Sequence, residues 1–262
     1  MGWLGLDDTD SLAGGCTTKT MEDLILNLPQ NVLVGTVRLV RLWPFASGRT
    51  RGNAALAVEL LSENVESLIA HLDSWWLNEL SLLKGLVSPS HHSDRPQVPS
   101  DPGMVWFDSQ PDEVHYWSAV QSHVAIDDVP IATKSWGGAG VIGATAAVAW
   151  PGLDKTWEAI AWRNTSDESK PRNVCLDSLN EIDSWPTTFL SRDPRSGSSL
   201  IAPRGHSPVL CGVRATTEFE ATKALALVLS SHNTEGSVGH RTFMTNQATG
   251  DHLHPATRAV VE

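Results

Sequence analysis

The sequence predicts a mixed fold, with an α/β domain in the N-terminal half and a ferredoxin-like α+β domain in the C-terminal half. Apolar runs rich in valine alternate with amphipathic stretches of helical period, which is typical of strands and helices in succession. After residue 150 the order strand, helix, strand, helix fits a small α+β sandwich of the ferredoxin type. The length of 262 residues allows one large domain or two small ones. We expect domains at about 1–125 and 128–242, followed by a tail at 243–262.

The N-terminal half begins with a strand, a loop and a helix. A short apolar run containing Trp3 and Leu4 predicts a buried strand that ends in an acidic turn. Apolar residues then recur at helical spacing, which predicts a helix from Thr17 or Thr18 to about Leu28. The further elements predicted in this half are strands at 31–42 and 52–61, an amphipathic helix at 65–83, a proline-rich loop or lid at 84–103 and a short helix at 111–122.

The C-terminal half opens with a cluster of glycines in front of a run of small residues. Gly137, Gly138, Gly140 and Gly143 would let a helix N-terminus approach a phosphate group or another backbone closely. Tight packing of a helix on a strand explains the same pattern equally well. The later elements are predicted as strands at 156–163 and 207–214 and helices at 173–182 and 219–230.

The most informative stretch is GLDDTDSLAGGCTTKT, residues 5–20. Its three carboxylates, Asp7, Asp8 and Asp10, repel one another unless one is protonated or a cation shares the site. Magnesium is commonly bound through one or two carboxylates together with phosphate oxygens. Gly14 and Gly15 would let the backbone approach a ligand, and the helix that follows would favour an anion at its N-terminus. The residues alone leave two alternatives, a metal–phosphate site or a solvated acidic turn before an ordinary threonine N-cap.

Composition excludes several classes of protein. A net charge of −11 argues against a protein that holds nucleic acid through its overall field. The three cysteines are scattered and form no CxxC pair, so neither a disulfide framework nor a zinc site is predicted. No stretch approaches the roughly 20 apolar residues of a membrane helix, and no signal peptide is visible. We therefore expect a cytoplasmic protein without a membrane partner.

Six motifs lie in order along nearly the whole chain. They are GLDDTDSLAGGCTT at 5–18, RLVRLWPFASGRTRGNAA at 38–55, GAGVIGA at 138–144, TWEAIAWR at 156–163, SPVLCGVR at 207–214 and TNQATGDHL at 245–253. Together they resemble the motifs of one family, the archaeal tRNA-isoleucine agmatinylcytidine synthetases (the TiaS family), whose signature GIDDTDS…G-CTT is similar to the first of them. Arg49 stands where the family usually has lysine, and Ala139 replaces a basic residue of the glycine loop.

The resemblance implies a specific activity. The family uses ATP and magnesium to activate C2 of the wobble cytidine in a tRNA-isoleucine with a CAU anticodon, and agmatine then displaces the activated oxygen. It also implies that the first domain is a kinase-like catalytic domain. By the family pattern, Asp7, Asp8 and Asp10 would bind magnesium and the triphosphate, and Thr18 or Thr17 would be phosphorylated. The residues expected around the nucleotide or cytidine are Gly14, Gly15, Arg49, Thr50, Arg51, Asn53, Gly138 and Gly140.

Members of this family continue past the TNQ…HL motif into an oligonucleotide-binding barrel and a zinc ribbon, and we expect this chain to lack both. Three hypotheses follow. The chain is a synthetase whose RNA-binding modules are reduced or supplied by a separate chain, or a non-catalytic paralogue that binds nucleotide or RNA. Alternatively, it is an ATP-dependent kinase or ligase that acts on another small substrate. The crowded carboxylates favour an enzyme, because a binding module has little need of them.

Overall fold

The computed structural model describes residues 1–10, 15–43, 46, 53–85, 98–163, 176–191, 210–231 and 238–246. The chain forms two compact units, Met1–Pro151 and Gly152–Glu262. None of the helices in the described ranges has the length and apolar character that crossing a membrane requires. The mixed α and β fold class predicted from the sequence is confirmed.

The first unit is built on an antiparallel sheet whose central strand carries the acidic motif at its end. Within the described residues its strands are β1 (Gly2–Asp7), β2 (Leu33–Arg41), β3 (Ala54–Leu61), β4 (Gly103–Phe107) and β5 (Lys134–Gly137), and their order in the sheet is β5-β4-β1-β3-β2. Strand β1 pairs with β3 on one side and with β4 on the other, both antiparallel. It therefore has neighbours along both edges, which fixes the start of the acidic turn.

The helices of this unit are α1 (Thr17–Leu26), α2 (Val65–Trp75), α3 (Val114–Gln121) and α4 (Gly140–Ala149). Helix α4 packs on β1, β3 and β4, and most of its residues are buried. The absence of a side chain at Gly5 of β1 allows a very close approach, because a Cβ atom added there would lie 2.4 Å from the carbonyl oxygen of Ala144. The predicted helix at 65–83 changes its winding after Trp75, first to a π-helical turn at Trp76–Leu80 and then to a 3₁₀ turn at Ser81–Leu83.

The C-terminal end of α4 is held by an arginine between two indole rings. The guanidinium carbon of Arg38 lies 4.0 Å from the ring centroid of Trp3 and 5.6 Å from that of Trp150. Its Nη1 donates to the carbonyl oxygen of Trp150 at 2.8 Å, and the side-chain amide of Gln110 donates to the same oxygen at 2.7 Å. A cation at this end of the helix also complements the helix dipole. Burial lowers the pKa of Arg38 to about 10, which leaves the residue charged at neutral pH.

The second unit has the β-α-β-β-α-β succession of a ferredoxin-like fold. The ferredoxin type was predicted, although the sequence indicated only four of the six elements, in the order strand, helix, strand, helix. Its described elements are β6 (Thr156–Arg163), α5 (Leu176–Ser184), β7 (Thr188–Leu190), β8 (Leu210–Ala215), α6 (Glu218–Ser231) and β9 (Val238–Thr245). The strands lie in the order β9-β6-β8-β7, and each neighbouring pair is antiparallel. One face buries a cluster that includes Ile182 of α5, Leu210 of β8 and Val228 of α6.

Two features differ from the sequence-based outline. The glycine loop and α4 belong to the first compact unit, which ends at Pro151, so the unit is longer than the 1–125 expected for the first domain. Strand β9 pairs with β6 up to Thr245 and so extends into the predicted tail, which was wrong for residues 243–245. Residues 247–262 of that tail lie outside the described part of the chain. The proposed functional division into two domains stays a prediction.

A fully buried ion pair ties β6 to β8 in the second unit. Arg214 Nη1 lies 2.9 Å from Glu158 Oε2, and neither side chain is exposed. The backbone amide of Gly212 donates to Glu158 Oε1 at 2.8 Å, and Arg214 Nη2 donates to the hydroxyl of Thr156 at 2.6 Å. These hydrogen bonds offset part of the cost of removing both charges from water.

We expect Arg214→Met to lower the free energy of unfolding by about 3–5 kcal/mol, because it leaves the Glu158 carboxylate buried without its cation. The double variant Glu158→Gln, Arg214→Met should lose less than Arg214→Met alone, since no uncompensated charge remains. Urea denaturation checks both values. Lys19→Met, which breaks a partly exposed pair with Asp23, is the control and should cost less than about 1 kcal/mol. A double variant less stable than the single one would contradict this account.

Candidate active site

The acidic loop, residues 7–10 with Asp7, Asp8 and Asp10, begins at the end of the central strand β1. Asp7 is the last residue of β1, and Asp8 adopts a left-handed backbone conformation with φ of 56°. One oxygen of the Asp7 carboxylate accepts a hydrogen bond from the Asp8 amide at 2.7 Å. One oxygen of the Asp8 carboxylate accepts from the backbone amide of Asp101 at 2.8 Å. Both carboxylates are therefore held by backbone groups, and both residues are partly buried.

The glycine loop, residues 137–143, lies directly against the acidic loop. A Cβ atom added to Gly143 would lie 1.9 Å from Oδ2 of Asp7, and one added to Gly140 would lie 2.8 Å from the Asp7 carbonyl oxygen. Contacts this short leave no room for a side chain, so glycine at both positions lets the first turn of α4 approach the carboxylates. The glycine cluster predicts a helix N-terminus that closely approaches a phosphate group or another backbone. In the structure it approaches the backbone and side chain of the acidic loop.

A cavity of about 260 Å³ opens beside these two loops, and all its described lining residues belong to the first unit. Of the residues predicted to form a site, five line it, namely Asp7, Asp8, Asp10, Asn53 and Gly140. The remaining wall is largely apolar and includes Leu42, Trp43, Ala119 and Ile142, with His123 two residues after α3. The described lining thus has three carboxylates and no lysine or arginine, which suits a cation better than a bare anion.

The predicted threonines lie in the first turn of α1, next to the acidic loop. The hydroxyl of Thr9 donates to that of Thr20 at 3.1 Å, and a Cβ atom on Gly15 (φ 83°) would lie 3.4 Å from the Thr9 carbonyl oxygen. Thr17 and Thr18 are buried, and the Thr18 hydroxyl lies 2.8 Å from Sγ of Cys16. Neither of these two threonines is among the residues that line the cavity.

The structure brings together only part of the predicted nucleotide-binding set. Gly14, Arg49, Thr50 and Arg51 lie outside the described residues. Asn53 lines the cavity, but its side-chain nitrogen donates to the Trp43 carbonyl oxygen at 2.8 Å and so braces the chain there. Gly138 does not line the cavity and instead lies against the side chain of Asp101.

Burial and mutual repulsion raise the pKa of two carboxyl groups in the acidic loop. For Asp7 the pKa lies well above the ordinary value, first because of burial and then because of the charge of Asp8. For Asp8 burial is again the largest cause, and Asp10 and Asp101 add repulsion, so that its pKa rises to about 7. The amide of Asp101 opposes this shift by donating to the Asp8 carboxylate. A bound cation would stabilise the charged forms of both groups.

The donor set fits magnesium held jointly with a phosphate ligand. Among the described residues, no three histidine, cysteine, aspartate or glutamate side chains converge into a ready-made metal cluster. Magnesium does not require such a cluster, because it keeps water and phosphate oxygens as ligands and takes one or two carboxylates from the protein. Asp7 and Asp8 are the pair whose burial disfavours their charges most, so they fit this role best.

Sequence reasoning missed Asp101. Its carboxylate accepts a hydrogen bond from the Ala139 amide at 2.7 Å and lies 2.9 Å from Nζ of Lys84. Asp101 stands in a polar, proline-rich stretch where isolated carboxylates are common, and its partner Asp8 is 93 positions away. No local pattern in the sequence links the two.

Two family models match separate parts of the chain. The model described as the TiaS TCKD domain matches residues 3–70, which include the acidic loop, and the model described as the TiaS FLD domain matches residues 138–252. The chain belongs to the TiaS family. The resemblance inferred from the six motifs is thereby confirmed.

Individual TiaS proteins agree with this assignment. The TiaS protein of Pyrococcus horikoshii, named as a 2-agmatinylcytidine synthetase for an isoleucine tRNA, is 32% identical over 95% of this chain and 59% of its own length. A crystal structure of TiaS with its isoleucine tRNA and ATP has 27% identity and a TM-score of 0.71, covering 96% of this chain and 60% of the TiaS chain. For a complex of TiaS with the same tRNA, AMPCPP and agmatine, the identity is 26%, the TM-score 0.70, and the shares covered 95% and 60%. This chain thus spans about 60% of the TiaS proteins it matches.

The raised pKa of Asp8 predicts a pH-dependent stability for the metal-free protein. Its carboxyl titrates at 3.8 when unperturbed and at about 7 in the folded protein. Between these values the folded chain holds a proton that the unfolded chain releases, so the stability from this group is full below pH 3.8 and falls as pH rises through 7. We expect the urea midpoint measured in EDTA to fall over this range, and magnesium to reduce the fall. Asp8→Asn should flatten the profile, and an unchanged slope in that variant would contradict the assignment.

Proposed function

We propose that this chain binds ATP and magnesium at the acidic loop and attaches agmatine to C2 of the wobble cytidine of a CAU-anticodon tRNA-isoleucine. The observation that carries the proposal is the acidic loop packed against the glycine-rich N-terminus of α4 beside a cavity. TiaS proteins that share this fold form complexes with their isoleucine tRNA and ATP, and with agmatine. The chain spans only part of those proteins, so the activity of the whole protein is assigned to this chain as a proposal.

The chemistry requires an activated cytidine. The C2 carbonyl of a pyrimidine is a poor electrophile, and transfer of a phosphoryl group from ATP to its oxygen creates a leaving group. The agmatine amine then forms a C–N bond at C2, the C–O bond breaks, phosphate leaves, and the nitrogen loses a proton. Magnesium, when bound, would neutralise phosphate charge during the phosphoryl transfer.

The residues of the chain take distinct roles in this proposal. Asp7, Asp8 and Asp10 hold magnesium and orient the triphosphate, while the first turn of α4 at Gly140 allows a phosphate to approach the backbone. Arg49, Thr50 and Arg51 contact the nucleotide or cytidine, where the planar arginine fork grips phosphate in two places. Thr18, with Thr17 as the alternative, is the residue whose hydroxyl would accept a phosphoryl group from ATP and lose its proton, since both begin α1 beside the acidic loop.

The net negative charge of the chain does not favour tRNA binding through its overall electrostatic field. A net charge of −11 disfavours the approach of a polyanion, so we propose that a local basic patch or a separate RNA-binding chain contributes. A cytoplasmic location accords with a tRNA substrate. An ATP-dependent kinase or ligase for another small substrate is the second candidate, favoured by a cavity whose described lining carries no lysine or arginine.

The decisive experiment incubates the purified chain with labelled ATP, magnesium, agmatine and a tRNA-isoleucine transcript carrying the CAU anticodon. Mass spectrometry of the digested RNA is then searched for agmatine on cytidine. We expect the modified base together with ATP consumption. Consumption of ATP without a modified cytidine would support the second candidate or a required partner chain. Absence of both would leave a binding paralogue.

We expect Asp10→Asn to abolish magnesium-dependent ATP turnover while the fold stays intact, because the change removes charge at the metal and little packing. Turnover is measured by release of labelled phosphate, and the fold by circular dichroism. Asp154→Asn is the matched control, since Asp154 is an exposed aspartate of the second unit. Retention of full ATP turnover in Asp10→Asn would remove the acidic loop from the mechanism.

A further inference from the structure

Asp101 connects the acidic loop to the glycine loop through three separate hydrogen bonds. Its amide donates to Asp8 Oδ2 at 2.8 Å, and its carbonyl oxygen accepts from the Gly140 amide at 2.9 Å. Its carboxylate oxygen Oδ2 accepts from the Ala139 amide at 2.7 Å. One residue thus binds the carboxylate of one loop and two consecutive amides of the other, just where α4 begins.

The segment around Asp101 packs closely against the glycine loop. A Cβ atom on Gly138 would lie 2.1 Å from both carboxylate oxygens of Asp101. A Cβ atom on Gly103, two residues further along, would lie 1.9 Å from the backbone nitrogen of Val141. The segment from Asp101 to Gly103 therefore runs in backbone contact with the glycine loop.

Lys84 supplies the counter-charge for this carboxylate. Its Nζ lies 2.9 Å from Asp101 Oδ1, on the oxygen that does not bind Ala139. The backbone beside it is fixed, because the Gly85 amide donates to the Ser100 carbonyl oxygen at 2.8 Å and the Ser100 hydroxyl donates to the Leu83 carbonyl oxygen. The Ala139 amide and Lys84 together hold the pKa of Asp101 below its ordinary value. Asp101 is thus anionic beside a loop of partly buried carboxylates.

We propose that Asp101 is a positioning residue for the ATP site, holding the Ala139–Gly140 backbone against the acidic loop, and that Lys84 keeps its carboxylate in place. The inference rests on the proposed function for its effect on ATP, whereas the hydrogen-bonded connection itself can be tested without ATP. Partners outside a site that orient its ligands typically contribute about tenfold or more to metal affinity or activity. Asp101 has that relation to Asp8, because it binds the carboxylate through its backbone and orients the neighbouring loop through its side chain.

The test compares Asp101→Asn with Asp101→Ala. Asparagine retains an oxygen that can accept from the Ala139 amide, whereas alanine leaves that amide without its acceptor. We expect hydrogen exchange of the Ala139 amide, followed by NMR, to accelerate about tenfold or more in Asp101→Ala and to change little in Asp101→Asn. Equal exchange rates in the two variants would overturn the positioning role, whether or not the protein turns over ATP.

The same variants separate positioning from general stability through their kinetics. We expect Asp101→Ala to raise KM for magnesium-ATP about tenfold, with a smaller change in kcat, and Asp101→Asn to recover most of the loss. Lys84→Met should also raise KM for magnesium-ATP. Lys134→Met is the matched control, because Lys134 also pairs with an aspartate, Asp73, in the same unit, and it should behave as wild type.

Each remaining outcome decides a different question. A wild-type chain without ATP turnover contradicts the proposed function, and the exchange experiment still decides the role of Asp101. If Asp101→Ala does not fold, Lys84→Met and Asp101→Asn carry the test. Elevated KM in Lys84→Met but not in Lys134→Met would then support the proposal. Equal KM values in these two lysine variants would overturn it.

Discussion

The contact between the acidic loop and the first turn of α4 is the constraint on which the first unit depends. Asp7 ends the central strand, and Gly143 leaves only enough room for its carboxylate. The helix N-terminus favours negative charge nearby, by an amount of about 0.3–1 kcal/mol. The raised pKa of Asp7 nevertheless indicates that burial and repulsion outweigh this attraction. The loop is thus held in place by backbone packing, while burial disfavours the charged forms of Asp7 and Asp8. This arrangement suits a cationic ligand.

Both ends of α4 are fixed by polar groups from distant parts of the chain. At its start, Asp101 accepts from two of the first backbone amides, and at its end Arg38 and Gln110 donate to the carbonyl oxygen of Trp150. The middle of the helix packs closely on β1, where Gly5 has no side chain to hold the two backbones apart. A helix fixed in this way can place its first turn accurately. This matters because positioning errors of about 1 Å are costly at a phosphate site.

Sequence periodicity predicted most of the helices and five of the nine described strands, including the strand–helix–strand–helix order of β6, α5, β8 and α6. It missed β4, β5, β7 and β9. Strands β5 and β7 are only four and three residues long, which is too short for a clear pattern. Strand β4 follows a proline-rich stretch, and β9 is identified only by its pairing with β6. The acidic motif was predictable because three carboxylates in four positions are rare without a purpose. Asp101 was not, since its role arises from contacts across the fold and leaves no local pattern. The apolar wall around Trp43 was hidden for the same reason.

The left-handed backbone of Asp8 has a consequence for which residues can occupy this position. Among the standard amino acids, glycine, asparagine and aspartate adopt that conformation most readily, and β-branched or bulky residues are strained there. Geometry alone thus restricts position 8 to a short set, and within that set only aspartate brings a negative charge. Sequence drift at this position would pass through asparagine or glycine, either of which keeps the turn and abolishes the charge. A homologous chain with either residue here would be recognisable, from that single letter, as one that has kept the fold and altered the chemistry.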